Sequence, residues 1–215
     1  MEIISINIGQ KQTLQNGSHL ETTGIFKVPT SEPVQVNLLG LQDDFIFSSK
    51  HHGGPDQAVY VYGGIDYSWW AEELGRELVP GTFGENLTIS EMESASFSIG
   101  DRMQIGSVIL EVTSPRIPCS TLAARMADML FVKRFRQAER PGIYCRIIQT
   151  GVLQIGENVT ISKYQDESLS ILEVFRAYYE KDKSEALIQR HLKAPIAIRN
   201  RMEMEQELVR RREKI

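Results

Sequence analysis

All sixteen glycines of this 215-residue chain lie before Tyr164. Glycine supplies the positive-φ turns that short strands need, so its distribution limits where a turn-rich sheet can form. The stretch without glycine also carries only one proline, Pro195, and suits helices. Charge changes at the same place. Residues 163–215 hold 12 of the 24 Lys/Arg and 10 of the 28 Asp/Glu, a net +2. Residues 1–162 then carry −6 of the overall −4. The composition predicts two units: a mainly β region over 1–162 and a three-helix region over 163–215.

The first unit reads as short strands. Ile3–Ile8, Val34–Leu39, Ala58–Tyr62, Asn86–Ile89, Asp101–Gln104, Val108–Thr113, Ile143–Gln149 and Glu157–Ile161 are apolar or alternating runs bounded by turn residues. Strands this short and closely spaced predict a mainly β fold with some helix, closed as a barrel or stacked as a sandwich. Two helices interrupt it. One spans Asp66–Leu74 with Asp66 as cap and Gly75 as stop; the other spans Ser120–Gln137, with Met126, Met129 and Leu130 read as a packed face. In the second unit Leu169, Leu172, Phe175 and Tyr179 recur at helical spacing after Ser168. Ser184 opens a second helix, and Ile196–Arg212 forms a third, with Ile198, Met202 and Val209 on one side. So small a bundle needs a surface to dock on, either the β region or a second copy in a homodimer.

Composition also excludes several classes. Two cysteines, Cys119 and Cys145, cannot build a disulfide scaffold, a zinc ribbon or a four-cysteine cluster. A net charge of −4 argues against a general grip on nucleic acid. No apolar run approaches the ~18 residues of a membrane span. The opening MEIISINIGQKQ lacks the order of a signal peptide, so a cytoplasmic location is expected.

Four stretches carry candidate chemistry. In His51-His52-Gly53-Gly54-Pro55-Asp56-Gln57 two histidines and an aspartate share a tight polar loop before a strand. Adjacent side chains on extended backbone point oppositely, so His51 and His52 do not jointly face one metal there. In Ser114-Pro115-Arg116-Ile117-Pro118-Cys119-Ser120 the cysteine precedes a helix, where amide dipoles favour a thiolate, and Arg116 adds positive charge. A thiolate there is a metal ligand or a nucleophile. Cys145 alternates within a strand and reads as packing. The stretch from Gly81 to Ile89 brings Asn86 to the start of a strand. Lys27 and Thr30, in Gly24–Ser31, could hold an oxyanion, although no Gly-Lys-Ser/Thr phosphate loop is present.

In order, GIFKVPTSEPV, HHGGPDQAVYVY, GTFGENLTI, SPRIPCSTLAARM, RPGIYCRIIQTG and IGENVTI resemble the MOSC family, named after the C-terminal domain of molybdenum cofactor sulfurases. The wording is most similar to its YiiM subgroup, which also carries a three-helix C-terminal region. The resemblance implies a β-barrel whose cleft holds a molybdenum–molybdopterin cofactor, with Cys119 as ligand to the metal. It also implies the reduction of N-hydroxylated compounds such as hydroxylaminopurines, a detoxifying activity. Lys27, Thr30, His51, His52, Gly53, Asp56, Asn86 and Arg116 are then expected around the cofactor. His52 or water on Arg116 would pass protons, with which histidine faces inward left open. The chain has no cluster cysteines and no dinucleotide fingerprint, so a separate flavin or iron–sulfur reductase is the expected electron donor. Two other readings are sulfur transfer through a persulfide on Cys119 and non-catalytic carriage of the cofactor.

Overall fold

The computed structural model describes residues 1–47, 53–167 and 169–212. Among the described residues thirteen strands run in chain order: β1 Ile3–Gly9, β2 Gln12–Asn16, β3 His19–Thr23, β4 Lys27–Thr30, β5 Val34–Asn37, β6 Gly40–Leu41, β7 Val59–Gly63, β8 Leu87–Ile89, β9 Arg102–Ile105, β10 Val108–Pro115, β11 Ile143–Gln149, β12 Gly151–Leu153 and β13 Val159–Ser162. Six α-helices accompany them among the same residues: α1 Gly64–Leu74, α2 Ser120–Arg125, α3 Phe131–Ala138, α4 Ile171–Tyr179, α5 Glu185–Lys193 and α6 Ile198–Arg212.

The main sheet has the order β13-β9-β10-β11-β7-β8-β1-β4 and is antiparallel except at β7–β8. Strands β12-β5-β6 form a small second sheet, and β2–β3 form a hairpin. The expected barrel is not found as a closed ladder. Residues 1–3 and 156–159 exchange three backbone hydrogen bonds, and Glu2 bridges Asn158. The contact goes no further because β4 already pairs with the rest of that edge, Ile6–Gly9 of β1.

Both faces of the central strands are covered, which their sequences explain. On β7, Val59 and Val61 enter one core cluster while Tyr60 and Tyr62 enter the other. On β11, Ile143, Cys145 and Ile147 join the first, and Tyr144 joins the second. A period of two sorts aliphatic from aromatic residues. The aromatic cluster packs Tyr62 on Phe83 at 4.6 Å and surrounds the buried Trp70 with Phe131 and Phe135. Cys145 is fully buried, and burial raises its thiol pKa, so it is strand packing as expected.

The helical region docks on this body and shares its aliphatic core through Leu169, Ile171, Val174, Ala194 and Ile196. Ile99 N–H donates to Leu169 O, Ile171 N–H to Phe97 O, and Ala197 N–H to Thr113 O. Ser170 and Glu173 form a capping box that starts α4, two residues after the expected Ser168, which lies outside the described residues. Ser184 caps α5 as expected. Along α6 the apolar residues Ile198, Met202 and Val209 are more than half exposed. Among the described residues no helix is long and apolar enough to cross a membrane.

Two helix expectations change. Ser120–Gln137 is not continuous: Ala127 adopts a φ of +52°, and the Asp128 carboxylate accepts from Leu130 N–H at 2.8 Å before α3 begins. Met129 and Leu130 are consequently exposed rather than packed. Helix α1 begins two residues before Asp66, which is no cap but a buried acceptor for Arg140 and for Ser94 N–H, both at 2.8 Å. It ends at Gly75 with φ +62°, as expected.

Candidate functional site

A cavity of about 370 Å³ opens between the β2–β3 hairpin, the segment around Asp44–Phe47, the sheet and the start of α2. Its size falls within the usual range for small-molecule sites. Three distant parts of the sequence meet there: Lys27, Asn86, and Arg116 with Cys119. Asp44, Gln57, Tyr60 and Tyr144 complete much of the wall.

Cys119 precedes the first turn of α2, and its carbonyl accepts from the N–H groups of Leu122 and Ala123. Its side chain is partly exposed, in contrast to Cys145. Arg116 is buried in the same wall, close enough for its charge to interact with Cys119, Tyr60 and Tyr144. One guanidinium N–H donates to Phe83 O, and the group lies 5.1 Å from the centre of the Tyr60 ring. Its Nε is buried without a hydrogen-bond partner among the described residues. An orphaned cationic donor beside an open cavity is what an anionic or oxygen-rich guest would satisfy.

Asn86 works as a structural hub. Its Oδ1 accepts from Tyr60 N–H at 3.1 Å, and its Nδ2 donates to Asp44 Oδ2 at 2.8 Å. Glu85 shapes the loop that presents it. That buried carboxylate accepts from Tyr67 Oη at 2.5 Å, Gly81 N–H at 2.6 Å, Thr88 Oγ1 at 2.9 Å and Phe83 N–H at 3.2 Å. Burial raises its pKa, and these donors oppose the rise. The backbone at Gly81 and Gly84 has φ of +85° and +76°, which favours glycine at both positions.

Lys27 is at the cavity, but its charge is engaged. Both oxygens of Asp44 hold its Nζ, at 2.5 and 2.7 Å, and both side chains are nearly buried. Burial lowers the lysine pKa, partly offset by Asp44. An anion could use Lys27 only in competition with Asp44. Thr30 lies outside the cavity, and its hydroxyl accepts from Glu32 N–H. Gly53 is buried and Asp56 is turned toward α6; neither lines the cavity. His51 and His52 lie outside the described residues.

Asp44, Tyr60 and Tyr144 are not among the residues expected here, and Gln57 is expected only as the last residue of the His51–Gln57 loop. The two tyrosines carried a signal, since each alternates with aliphatic residues on a strand whose other face fills the aliphatic core. Asp44, in Gln42-Asp43-Asp44-Phe45, had none. Among the described residues no group of three or more His, Cys, Asp or Glu stands close enough to hold a metal ion. A metal here would need ligands from elsewhere besides Cys119.

A model of the MOSC domain matches residues 48–160. An uncharacterized protein, YflK of Bacillus subtilis (strain 168), is 31% identical over 190 residues, spanning 88% of this chain and 86% of YflK. A reductase of Gibberella moniliformis is 30% identical over 179 residues; the match covers 81% of this chain but 32% of that protein. The crystal structure of YiiM from Geobacillus stearothermophilus superposes with a TM-score of 0.79 at 28% identity, over 96% of this chain and 98% of that one. Family model, near full-length sequence match and shared fold agree: the chain belongs to the MOSC domain family.

Proposed function

We propose that the protein is a molybdenum-cofactor-dependent reductase of N-hydroxylated compounds. The observation that carries this reading is the convergence of Cys119, Arg116 and Asn86 on one cavity, with the Arg116 Nε left unpartnered. The residues fit the group. Cys119 offers a soft thiolate ligand, and Arg116 offers a cationic N–H to an oxygen-rich or anionic part. When bound, the cofactor would supply a metal able to accept oxygen and exchange two electrons. The matched relative named a reductase supports the reaction class.

The chain's own residues have definite tasks. Asn86 and Glu85 hold the loop 81–86 rigid, so Phe83 O can fix the Arg116 guanidinium. Tyr60 and Tyr144, with ring centres 4.9 Å apart and planes tilted by 36°, give the cavity an aromatic wall on one side. Substrate R–NHOH takes up two electrons and two protons and leaves as R–NH₂ and water. The electrons would come from a flavin or iron–sulfur donor, since residues 1–215 carry neither cluster cysteines nor a dinucleotide fingerprint.

The test is the Cys119→Ser variant, made in a molybdenum-replete host with intact cofactor synthesis. Wild type should hold near-stoichiometric molybdenum and reduce a hydroxylaminopurine with a chemical electron donor. The variant should fold normally and lose both properties. Full activity in the variant, or wild type free of molybdenum, would overturn the reading. A cyanide-releasable sulfur on wild-type Cys119 would instead indicate sulfur transfer.

A further inference from the structure

Gln57 lines the cavity, yet its side-chain amide makes no hydrogen bond to any described residue. Its Oε1 is buried without a partner. A buried amide oxygen left unpaired costs about 1–3 kcal/mol, so a fold retains one where something else pays for it. Rotation about the last side-chain torsion exchanges oxygen and nitrogen at little cost. The amide can therefore present a donor or an acceptor, or both side by side, to a guest.

The backbone beneath Gln57 is held tightly. Pro55–Gln57 is a 3₁₀ turn closed by Gln57 N–H donating to Gly54 O at 3.1 Å. Its central residue, Asp56, is gripped from three sides. Ile198 N–H, at the start of α6, donates to Asp56 Oδ2 at 2.6 Å. Arg146 Nε on β11 lies 3.0 Å from Asp56 Oδ1. Thr113 Oγ1 on β10 donates to Asp56 O at 2.5 Å. Arg146 also donates to Pro195 O at 3.0 Å and Ile196 O at 3.2 Å, so the same guanidinium binds the turn to the helical region. The turn is thus clamped between the sheet and a segment that lies outside the matched MOSC residues 48–160.

We propose that Gln57 reads the edge of a planar heterocycle carrying adjacent hydrogen-bond donor and acceptor atoms, and that Asp56 is the positioning residue that holds it there. Phe45, Phe47, Tyr60 and Tyr144 line the same cavity, and aromatic surface of that kind suits a flat guest. The edge has two sources, the base of a hydroxylaminopurine or the pterin of the cofactor. This deepens the proposed function and rests on it for the identity of those two molecules. It also makes the helical region part of the site rather than an appendage.

The experiment compares wild type, Gln57→Leu, Asp56→Ala, Asp56→Asn and the Gln57→Leu/Asp56→Ala double variant, all from the cofactor-competent host. Bound pterin is measured chemically, and the Kd of hydroxylaminopurine by equilibrium titration. KM and kcat are measured for hydroxylaminopurine and for benzamidoxime, which lacks the ring edge. Gln57→Leu should weaken hydroxylaminopurine about tenfold in Kd and KM and leave benzamidoxime within about twofold, if the substrate is the guest. A tenfold fall in bound pterin would identify the cofactor as the guest instead. No change in either would overturn the proposal. Asp56→Ala should move the same quantity in the same direction and add less than about twofold to Gln57→Leu; independent effects would overturn its positioning role. Asp56→Asn, which keeps the acceptor for Ile198 N–H, should restore part of the loss and remains usable if Asp56→Ala fails to fold. Kd and pterin content decide the proposal even if wild type reduces no N-hydroxylated compound.

Discussion

Replacing Asp44 by Asn should expose how much of the cavity depends on one buried ion pair. Asp44 holds Lys27 Nζ with both oxygens, accepts from Gly9 N–H at 2.7 Å and from Asn86 Nδ2 at 2.8 Å. The two charged side chains are 8% and 1% exposed, so water replaces the lost partner poorly. Breaking such a pair while leaving one charge buried costs about 3–5 kcal/mol. For a chain of this size that corresponds to roughly 6–20 °C in melting temperature. The pH dependence identifies the cause. Burial already lowers the Lys27 pKa from 10.5, and Asp44 is the largest influence opposing that shift. Without it the folded pKa falls further below the unfolded one. The unfolded chain then binds more protons between the two values, and stability rises with pH through that window. The deficit of Asp44→Asn against wild type should therefore shrink as pH is raised toward 10.5, by up to about 1.4 kcal/mol per unit. Urea denaturation at several pH values measures it. A deficit below about 1 kcal/mol, or one that stays constant with pH, would refute the argument.

Other outcomes follow from the same geometry. Native protein should react at one thiol with an aromatic disulfide reagent and at two after unfolding, because Cys119 is partly exposed and Cys145 is fully buried. Ala127→Gly should stabilise the chain by about 0.5–1 kcal/mol, because the φ of +52° between α2 and α3 strains any residue with a Cβ. Ser170→Ala removes the capping box of α4 and should cost about 0.5–2 kcal/mol in denaturant unfolding.

What could be read from the sequence follows from how local each cause is. The strands Ile3–Gly9, Val108–Pro115 and Ile143–Gln149 announce themselves by apolar runs, and Gly75 and Ser184 end or start helices by their own chemistry. The hairpin β2–β3 was missed because Gln12–Asn16 and His19–Thr23 are mostly polar and pair only with each other. The break in Ser120–Gln137 was missed because Asp128 acts through a side-chain bond that a periodicity count ignores. At the site, Cys119 and Arg116 were legible from a helix start and a proline-fixed approach. The partner of Lys27 was not, because Asp44 reaches it only after β1 and β4 pair and bring Gly9 beside Lys27. Asp56 was read as belonging to the cavity loop, whereas its partners, Arg146 and Ile198, lie 90 and 142 residues away.

Strand β1 has a history built into its edge. Its second half, Ile6–Gly9, pairs with β4, which leaves the ribosome within the next two dozen residues. Its first residues wait for residues 156–159. At roughly 5–20 residues per second, that half-edge stays unpaired for on the order of ten seconds during synthesis. Met1 and Ile4 remain partly exposed even in the finished fold. Until then these residues are open to pairing with another nascent copy, and Glu2 puts a charge there that discourages such pairing.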